Sequence, residues 1–88
     1  MNRSRYSDIR IEIRLFSYFE KYLPDPESAD NSCYLDIKEK ATVREVLSEL
    51  GVPLDIPKVI ILNNEQGCLE GVLKNGDNLT IIPPMAGG

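Results

Sequence analysis

The most constraining feature of this 88-residue chain is a short amphipathic segment with clear start and stop signals. Thr42 is a favourable N-cap, and Glu45 three positions later completes a capping box. Gly51 and Pro53 stand where a helix ends. The apolar residues between them recur at helical spacing: Val43, Val46, Leu47 and Leu50. The sequence therefore predicts one main helix over 42–50, whose single apolar stripe must pack on another layer.

An alternating segment near the start of the chain can supply part of that layer. Residues 9–16 alternate between apolar and mostly charged side chains, which is typical of a strand buried on one face. The side chains predicted to face the core are Ile9, Ile11, Ile13 and Leu15. Those predicted to face outward are Arg10, Glu12, Arg14 and Phe16. Phe16 is the one apolar member of the outward set.

The spacing of apolar residues changes after this strand. Tyr18, Phe19, Tyr22 and Leu23 fit a short helix with one apolar face, which Pro24 and Pro26 close. An acidic surface loop over 24–32 follows. Residues 33–37 alternate again, and we expect them to form a hairpin with the first strand.

Further strand segments follow the main helix, at 58–62, at 67–70 as a short fourth strand, and at 79–82. Asn63-Asn64 and Asn75-Gly76 lie between them and favour turns. In the last strand, Leu79 and Ile81 are predicted to face the core and Thr80 and Ile82 to face outward.

This order of elements predicts an α+β protein with a β-grasp architecture. The expected fold has a mixed sheet of four to five strands, with the 42–50 helix packed across it. We expect a flexible N-terminal extension over 1–8, one domain over 9–82, and a flexible C-terminal tail over 83–88. A chain of this length buries roughly 60% of its unfolded surface, which supports one core but no deep cleft.

Composition narrows the classes of function. The net charge of −4 argues against nucleic acid and anionic membranes as partners, because both favour a basic surface. The absence of histidine removes the commonest general base and metal ligand, so neither a metal site nor side-chain catalysis is expected. Cys33 and Cys68 form no CxxC pair, and we expect reduced, half-buried thiols. With no apolar run of spanning length and no signal peptide, the expected location is the cytoplasm.

The last six residues, 83–88, have the properties of a tail that enters another protein. Pro83 and Pro84 cannot continue a strand and should hold the following residues away from the sheet. Five extended residues from Pro84 reach about 15 to 18 Å. Gly87 and Gly88 have no Cβ and can pass through a slot too narrow for a side chain.

Taken together, these segments resemble the MoaD/ThiS-type sulfur-carrier family of ubiquitin-like proteins, and most of all the small subunit of molybdopterin synthase. The similarity covers residues 9–88. It depends on Ile13-Arg14-Leu15-Phe16, on Leu62-Asn63, on Leu73-x-x-Gly76-Asp77-x-Leu79, and on Ile82-Pro83-Pro84-Met85-Ala86-Gly87-Gly88 at the end of the chain.

The resemblance implies a carrier and not a catalyst. An E1-like adenylyltransferase would use ATP to convert the Gly88 carboxylate into an acyl-adenylate, and sulfur would then displace AMP to leave a thiocarboxylate. Pro84, Met85, Ala86 and Gly87 would thread into the large subunit of molybdopterin synthase, where the sulfur is donated. No cofactor is expected to bind the chain itself.

The partner protein would bind to a surface of the folded domain. Phe16 and Ile82 share the outward face by strand parity, and the resemblance implies that both contact the partner. Three hypotheses remain open: a sulfur carrier for molybdopterin synthesis or another pathway (thiamine, tRNA thiolation, cysteine), a ubiquitin-like modifier joined to lysines, and a binding module whose tail is incidental.

Overall fold

The computed structural model of the chain describes residues 8–25 and 31–84. Its strands are β1 (Asp8–Leu15), β2 (Ser32–Lys38), β3 (Val59–Leu62), β4 (Glu65–Gln66) and β5 (Asn78–Ile82). One sheet contains them in the order β2-β1-β5-β3-β4. β1 and β5 run parallel at its centre, and every other neighbouring pair is antiparallel. With the helix α1 (Val43–Leu50), this mixed sheet confirms the predicted β-grasp.

The core lies between the inner face of the sheet and α1. Ile11, Ile13 and Leu15 of β1 have no exposed surface, as predicted, while Ile9 is half-buried. Leu79 and Ile81 of β5 are also fully buried. The other residues of the core are Phe19, Leu23, Ile37, Val43, Val46, Leu47, Val52, Ile60 and Leu73. The alternation of β1 and β5 thus determines which side of the sheet the helix covers.

Both ends of α1 follow the predicted signals. The Thr42 hydroxyl accepts the Glu45 N–H (N–O 3.3 Å), and the Glu45 carboxylate accepts the Thr42 N–H (N–O 2.9 Å). Thr42 is the N-cap, so the helix begins one residue later than the predicted 42–50. Gly51 ends it with φ of 87°, in the left-handed region that favours glycine.

The predicted fourth strand at 67–70 is wrong. Asn63 and Asn64 both have positive φ and form a two-residue turn, so β4 follows immediately and pairs Glu65 with Leu62. Residues 68–71 instead form a turn, closed by the Gly71 N–H donated to the Cys68 carbonyl (3.1 Å).

The predicted helix after β1 is a 3₁₀ helix over Ser17–Tyr22, and Tyr18 does not belong to its apolar face. Three residues per turn place Phe19 and Tyr22 on one side. Phe19 is fully buried, whereas half of the Tyr18 side chain remains exposed. β1 also begins at Asp8, one residue inside the predicted N-terminal extension.

Candidate functional site

The root of the C-terminal tail is held by the centre of the sheet. β5 pairs with β1 on one side, with Leu15 opposite Ile81, and with β3 on the other, with Val59 opposite Ile82. The strand ends at Ile82, as the two prolines predict. Pro83 is half-buried and Pro84 is exposed. The tail therefore begins from a strand fixed on both edges.

The other residues of the predicted tail, Met85, Ala86, Gly87 and Gly88, lie outside the described residues. Their threading role and the acyl chemistry at Gly88 stay predictions. Residues 1–7 and the loop residues 26–30 also lie outside the described residues.

Phe16 and Ile82 lie next to each other on the outer face of the sheet. Phe16 follows β1 with extended backbone angles (φ −117°, ψ 157°), and its N–H donates to the Ile81 carbonyl (3.2 Å). It therefore continues the β1–β5 register, in which Leu15 lies opposite Ile81. Both side chains are half-buried. The predicted parity of both residues is confirmed; their contact with a partner stays a prediction.

The structure adds two residues that the sequence analysis missed. Val59 pairs with Ile82, and Ile61 pairs with Thr80, so both β3 side chains share the outer face. We call Phe16, Val59, Ile61 and Ile82 the outer corner. The segment 58–62 is an unbroken apolar run, and such a run does not reveal which side chains face inward. The register with β5 decides it.

Two ion pairs lie elsewhere on the outer face. Arg10 Nε lies 2.9 Å from Asp36 Oδ1, and Arg14 lies 3.4 Å from Glu12. The hydrogen bond from Arg10 holds the pKa of Asp36 below its ordinary value of 3.8. Because these charges neutralise each other locally, the outer corner is the apolar part of this face.

A lysine fixes the loop that leads into β3 beside the tail root. Lys58 Nζ donates to the carbonyls of Leu54 (3.2 Å) and Ile56 (2.5 Å). Partial burial lowers the pKa of Lys58 from its ordinary value of 10.5, although Asp55 opposes this effect. The side chain therefore positions the chain just before Val59.

Neither thiol forms a disulfide. Cys33 is half-buried as expected, but Cys68 is exposed, which corrects the expectation of two half-buried thiols. Over residues 8–25 and 31–84, no group of three or more His, Cys, Asp or Glu residues could hold a metal ion. Within the same ranges, no helix is both long and apolar enough to cross a membrane.

These features define a small ubiquitin-like β-grasp domain whose last strand carries a tail beside an apolar corner. The family model described as the ThiS family matches residues 26–88. The chain belongs to the ThiS family. No curated protein matches the chain by sequence.

Three solved structures show the same fold. A complex of subunits 1 and 2 of the molybdopterin-converting factor from Helicobacter pylori contains a chain with 28% identity (TM-score 0.52, 91% of this chain and 100% of that one). A putative subunit 1 of the molybdopterin-converting factor from Pyrococcus furiosus is 18% identical (TM-score 0.66, 88% and 99% covered). Small archaeal modifier protein 1 of Haloferax volcanii is 20% identical (TM-score 0.67, 88% and 99% covered).

Proposed function

We propose that this protein is a sulfur carrier whose reacting group is the carboxylate of Gly88. An E1-like adenylyltransferase would join that carboxylate to AMP from ATP with release of pyrophosphate. A sulfur nucleophile would then attack the acyl carbon and expel AMP, leaving a thiocarboxylate. The catalytic side chains belong to partners, and we place the reaction in the cytoplasm.

The observation that supports this proposal most is the family match, which continues through the tail to residue 88. The geometry at the tail root agrees with it. β5 pairs with β1 through Ile81 and with β3 through Ile82, so a partner that binds the outer corner would receive the tail from a fixed starting point. Pro83 and Pro84 would direct Met85, Ala86 and Gly87 away from the sheet.

The pathway that we propose is molybdopterin synthesis, with the large synthase subunit as the acceptor. The Helicobacter pylori structure supports this choice, because its subunit 1 is similar over nearly the whole chain and stands in complex with subunit 2. Carriers for thiamine, tRNA thiolation or cysteine share the same activation chemistry and are the alternatives.

Mass spectrometry of the intact protein tests the carrier proposal. After incubation with an adenylyltransferase of the ThiS-family pathway, ATP and a sulfur donor, we expect one oxygen at Gly88 to be replaced by sulfur. The matched control omits ATP. Detection of the adenylate under complete conditions, without any thiocarboxylate, would contradict the sulfur step. Addition of the large synthase subunit and a pterin precursor then tests the pathway.

The second candidate function is that of a ubiquitin-like modifier. The fold shared with small archaeal modifier protein 1 favours it, and both functions begin with the same adenylate. They differ in the nucleophile, which is sulfur for a carrier and a lysine amine for a modifier. Recovery of Gly88 in isopeptide bonds to other proteins, without any thiocarboxylate, would favour the modifier.

A further inference from the structure

The turn at Asn75-Gly76 carries a reactive group that the proposed function does not use. When glycine follows asparagine, the glycine nitrogen can attack the carbon of the asparagine side-chain amide, because glycine has no side chain to obstruct the approach. Among the asparagines of the chain, only Asn75 precedes a glycine. Both residues are exposed, so water and base reach them.

This reaction, deamidation, consumes water and releases ammonia, with no oxidant or reductant. The Gly76 N–H first loses its proton to base. The nitrogen then forms a bond to Cγ of Asn75, the Cγ–Nδ2 bond breaks, and ammonia leaves with a proton from the solvent. Water opens the resulting cyclic imide at one of its two carbonyls, which leaves aspartate or isoaspartate at position 75. The isoaspartate product has an extra methylene group in its main chain.

The fold holds both reacting groups on the backbone of Arg10. The Arg10 N–H donates to Oδ1 of Asn75 (2.8 Å), and the Gly76 N–H donates to the Arg10 carbonyl (2.8 Å). The Asn75 side chain thereby takes the place of a backbone carbonyl just beyond the first pair of the β1–β5 ladder, Glu12 with Asn78. We call these two hydrogen bonds the Arg10 clamp.

The turn that presents Gly76 to the Arg10 clamp is closed by Asp77. The Asp77 N–H donates to the Lys74 carbonyl (3.0 Å), and Oδ2 of Asp77 accepts the Lys74 N–H (2.8 Å). Oδ1 of the same carboxylate accepts a hydrogen bond from the Asn63 side-chain amide (3.0 Å). Gly76 has a φ of 88°, which a turn of this kind requires. Asp77 therefore keeps the turn in the conformation that the clamp needs.

The two bonds of the Arg10 clamp have opposite effects on deamidation. Donation to Oδ1 polarises the Asn75 amide and would by itself make Cγ more electrophilic. Donation by the Gly76 N–H opposes formation of the nucleophile, because an anionic nitrogen would face the Arg10 carbonyl oxygen at hydrogen-bond distance and be repelled by it. Without a nucleophile, the polarised amide does not react. The net effect of the clamp is protection.

We propose that Asn75 is a deamidation site controlled by the Arg10 clamp. The reaction occurs in molecules whose 74–77 turn has separated from β1 while the core remains folded. Local opening of an exposed turn needs less free energy than global unfolding, so the opening of this turn sets the rate. The proposal is independent of the proposed sulfur chemistry.

Peptide mapping by mass spectrometry tests whether the fold controls this site. The full chain is incubated at mildly alkaline pH, once folded and once unfolded in guanidinium chloride, and conversion of the Asn75 amide to a carboxylate is followed with time. We expect the folded chain to react at least about tenfold more slowly, because only the open fraction reacts. Equal rates would overturn the proposal, and so would an unfolded chain in which Asn75 is not modified.

Amide hydrogen exchange tests whether the clamp is the source of the protection. The Gly76 amide exchanges when its bond to Arg10 breaks, so its protection factor and the slowing of deamidation should agree within about threefold. Fast deamidation of Asn75 while the Gly76 amide stays protected would overturn the proposal. Slow deamidation with an unprotected Gly76 amide would also overturn it, since the protection would then have another source.

Two matched aspartate variants test the turn. Asp77→Ala releases the turn without altering Asn75, Gly76 or the backbone of Arg10, and should accelerate deamidation of the folded chain several-fold. Asp36→Ala removes the ion pair with the Arg10 guanidinium but leaves the clamp intact, so its rate should not change. Each rate is taken relative to the same variant in guanidinium chloride. No acceleration by Asp77→Ala, or equal acceleration by both variants, would overturn the proposal.

A variant destabilised elsewhere distinguishes local opening from global unfolding. Gly51→Ala strains the end of α1, where the added Cβ would meet only Tyr22, and leaves the contacts of the 74–77 turn unchanged. We expect its deamidation rate to equal that of the unchanged protein. Acceleration that matches its loss of overall stability would show that the reaction requires global unfolding and would overturn the proposal. If Asp77→Ala does not fold, this comparison and hydrogen exchange decide.

Discussion

At the scale of single residues, the end of α1 depends on the backbone freedom of Gly51. Its φ of 87° lies in the left-handed region, and an added Cβ would meet only Tyr22 at an ordinary distance of 3.9 Å. The cost of Gly51→Ala is therefore conformational and should lower the free energy of unfolding by about 1–2 kcal/mol. Gly51→Asn should lose less, since asparagine tolerates this region. Urea unfolding measures both variants, and equal stability of the Ala and Gly proteins would contradict the reasoning.

The Arg10–Asp36 pair predicts a pH dependence. Because the folded pKa of Asp36 lies below its ordinary value of 3.8, the pair stabilises the fold above that value and loses its effect as the pH falls through the folded pKa. Asp36→Asn should lower the thermal midpoint slightly at neutral pH, and the difference should vanish in strong acid. Both residues are exposed, so added salt should reduce the effect. An Arg10→Gln, Asp36→Asn double variant tests whether the two substitutions are coupled.

At the scale of elements, we expect side-chain truncation to alanine to have opposite consequences on the two faces of the sheet. Ile13→Ala removes a fully buried side chain and should cost roughly 2–5 kcal/mol of stability. Phe16→Ala and Ile82→Ala affect half-buried side chains of the outer corner, so their stability losses should be smaller. Their binding losses to the large synthase subunit should be about 2 kcal/mol or more if they are anchors.

Thermal unfolding and titration calorimetry separate the two effects. Val59→Ala extends the test to a residue that only the structure identified. Val72→Ala, at an exposed site away from the outer corner, is the control. Unchanged partner affinity after all three outer-corner substitutions would show that this surface is not the docking site.

At the scale of the whole molecule, the stability of the domain and the chemistry of the tail should be separable. Among residues 8–25 and 31–84, every buried core residue lies between Ile11 and Ile81. Gly88→Ala, or one residue added after Gly88, should therefore change the free energy of unfolding by no more than about 0.5 kcal/mol. Sulfur transfer should be lost, because the proposed mechanism requires a terminal glycine for both threading and activation. Normal transfer by the extended protein, with the extra residue shown by mass spectrometry to be still attached, would contradict the tail mechanism.

The sequence by itself determined the features that depend on neighbouring residues. The capping box at Thr42, the stop at Gly51 and the parity of β1 and β5 are local patterns, and the structure confirms all three. The pattern of elements was also enough to predict the β-grasp. Local patterns succeed here because hydrogen bonds and side-chain direction within one element follow fixed periods.

Only the tertiary structure decided the features that depend on register between distant segments. Val59 and Ile61 joined the outer corner because β3 pairs with β5, about twenty residues further along the chain. A two-residue turn follows β3 directly, so the segment that pairs with β3 is the short β4. The apolar residues had suggested a strand further along the chain, at 67–70. Tyr18 stayed exposed because the 3₁₀ helix turns more tightly than an α-helix. A run of apolar residues indicates that a segment is buried. Pairing with the neighbouring strand determines which of its side chains face the core.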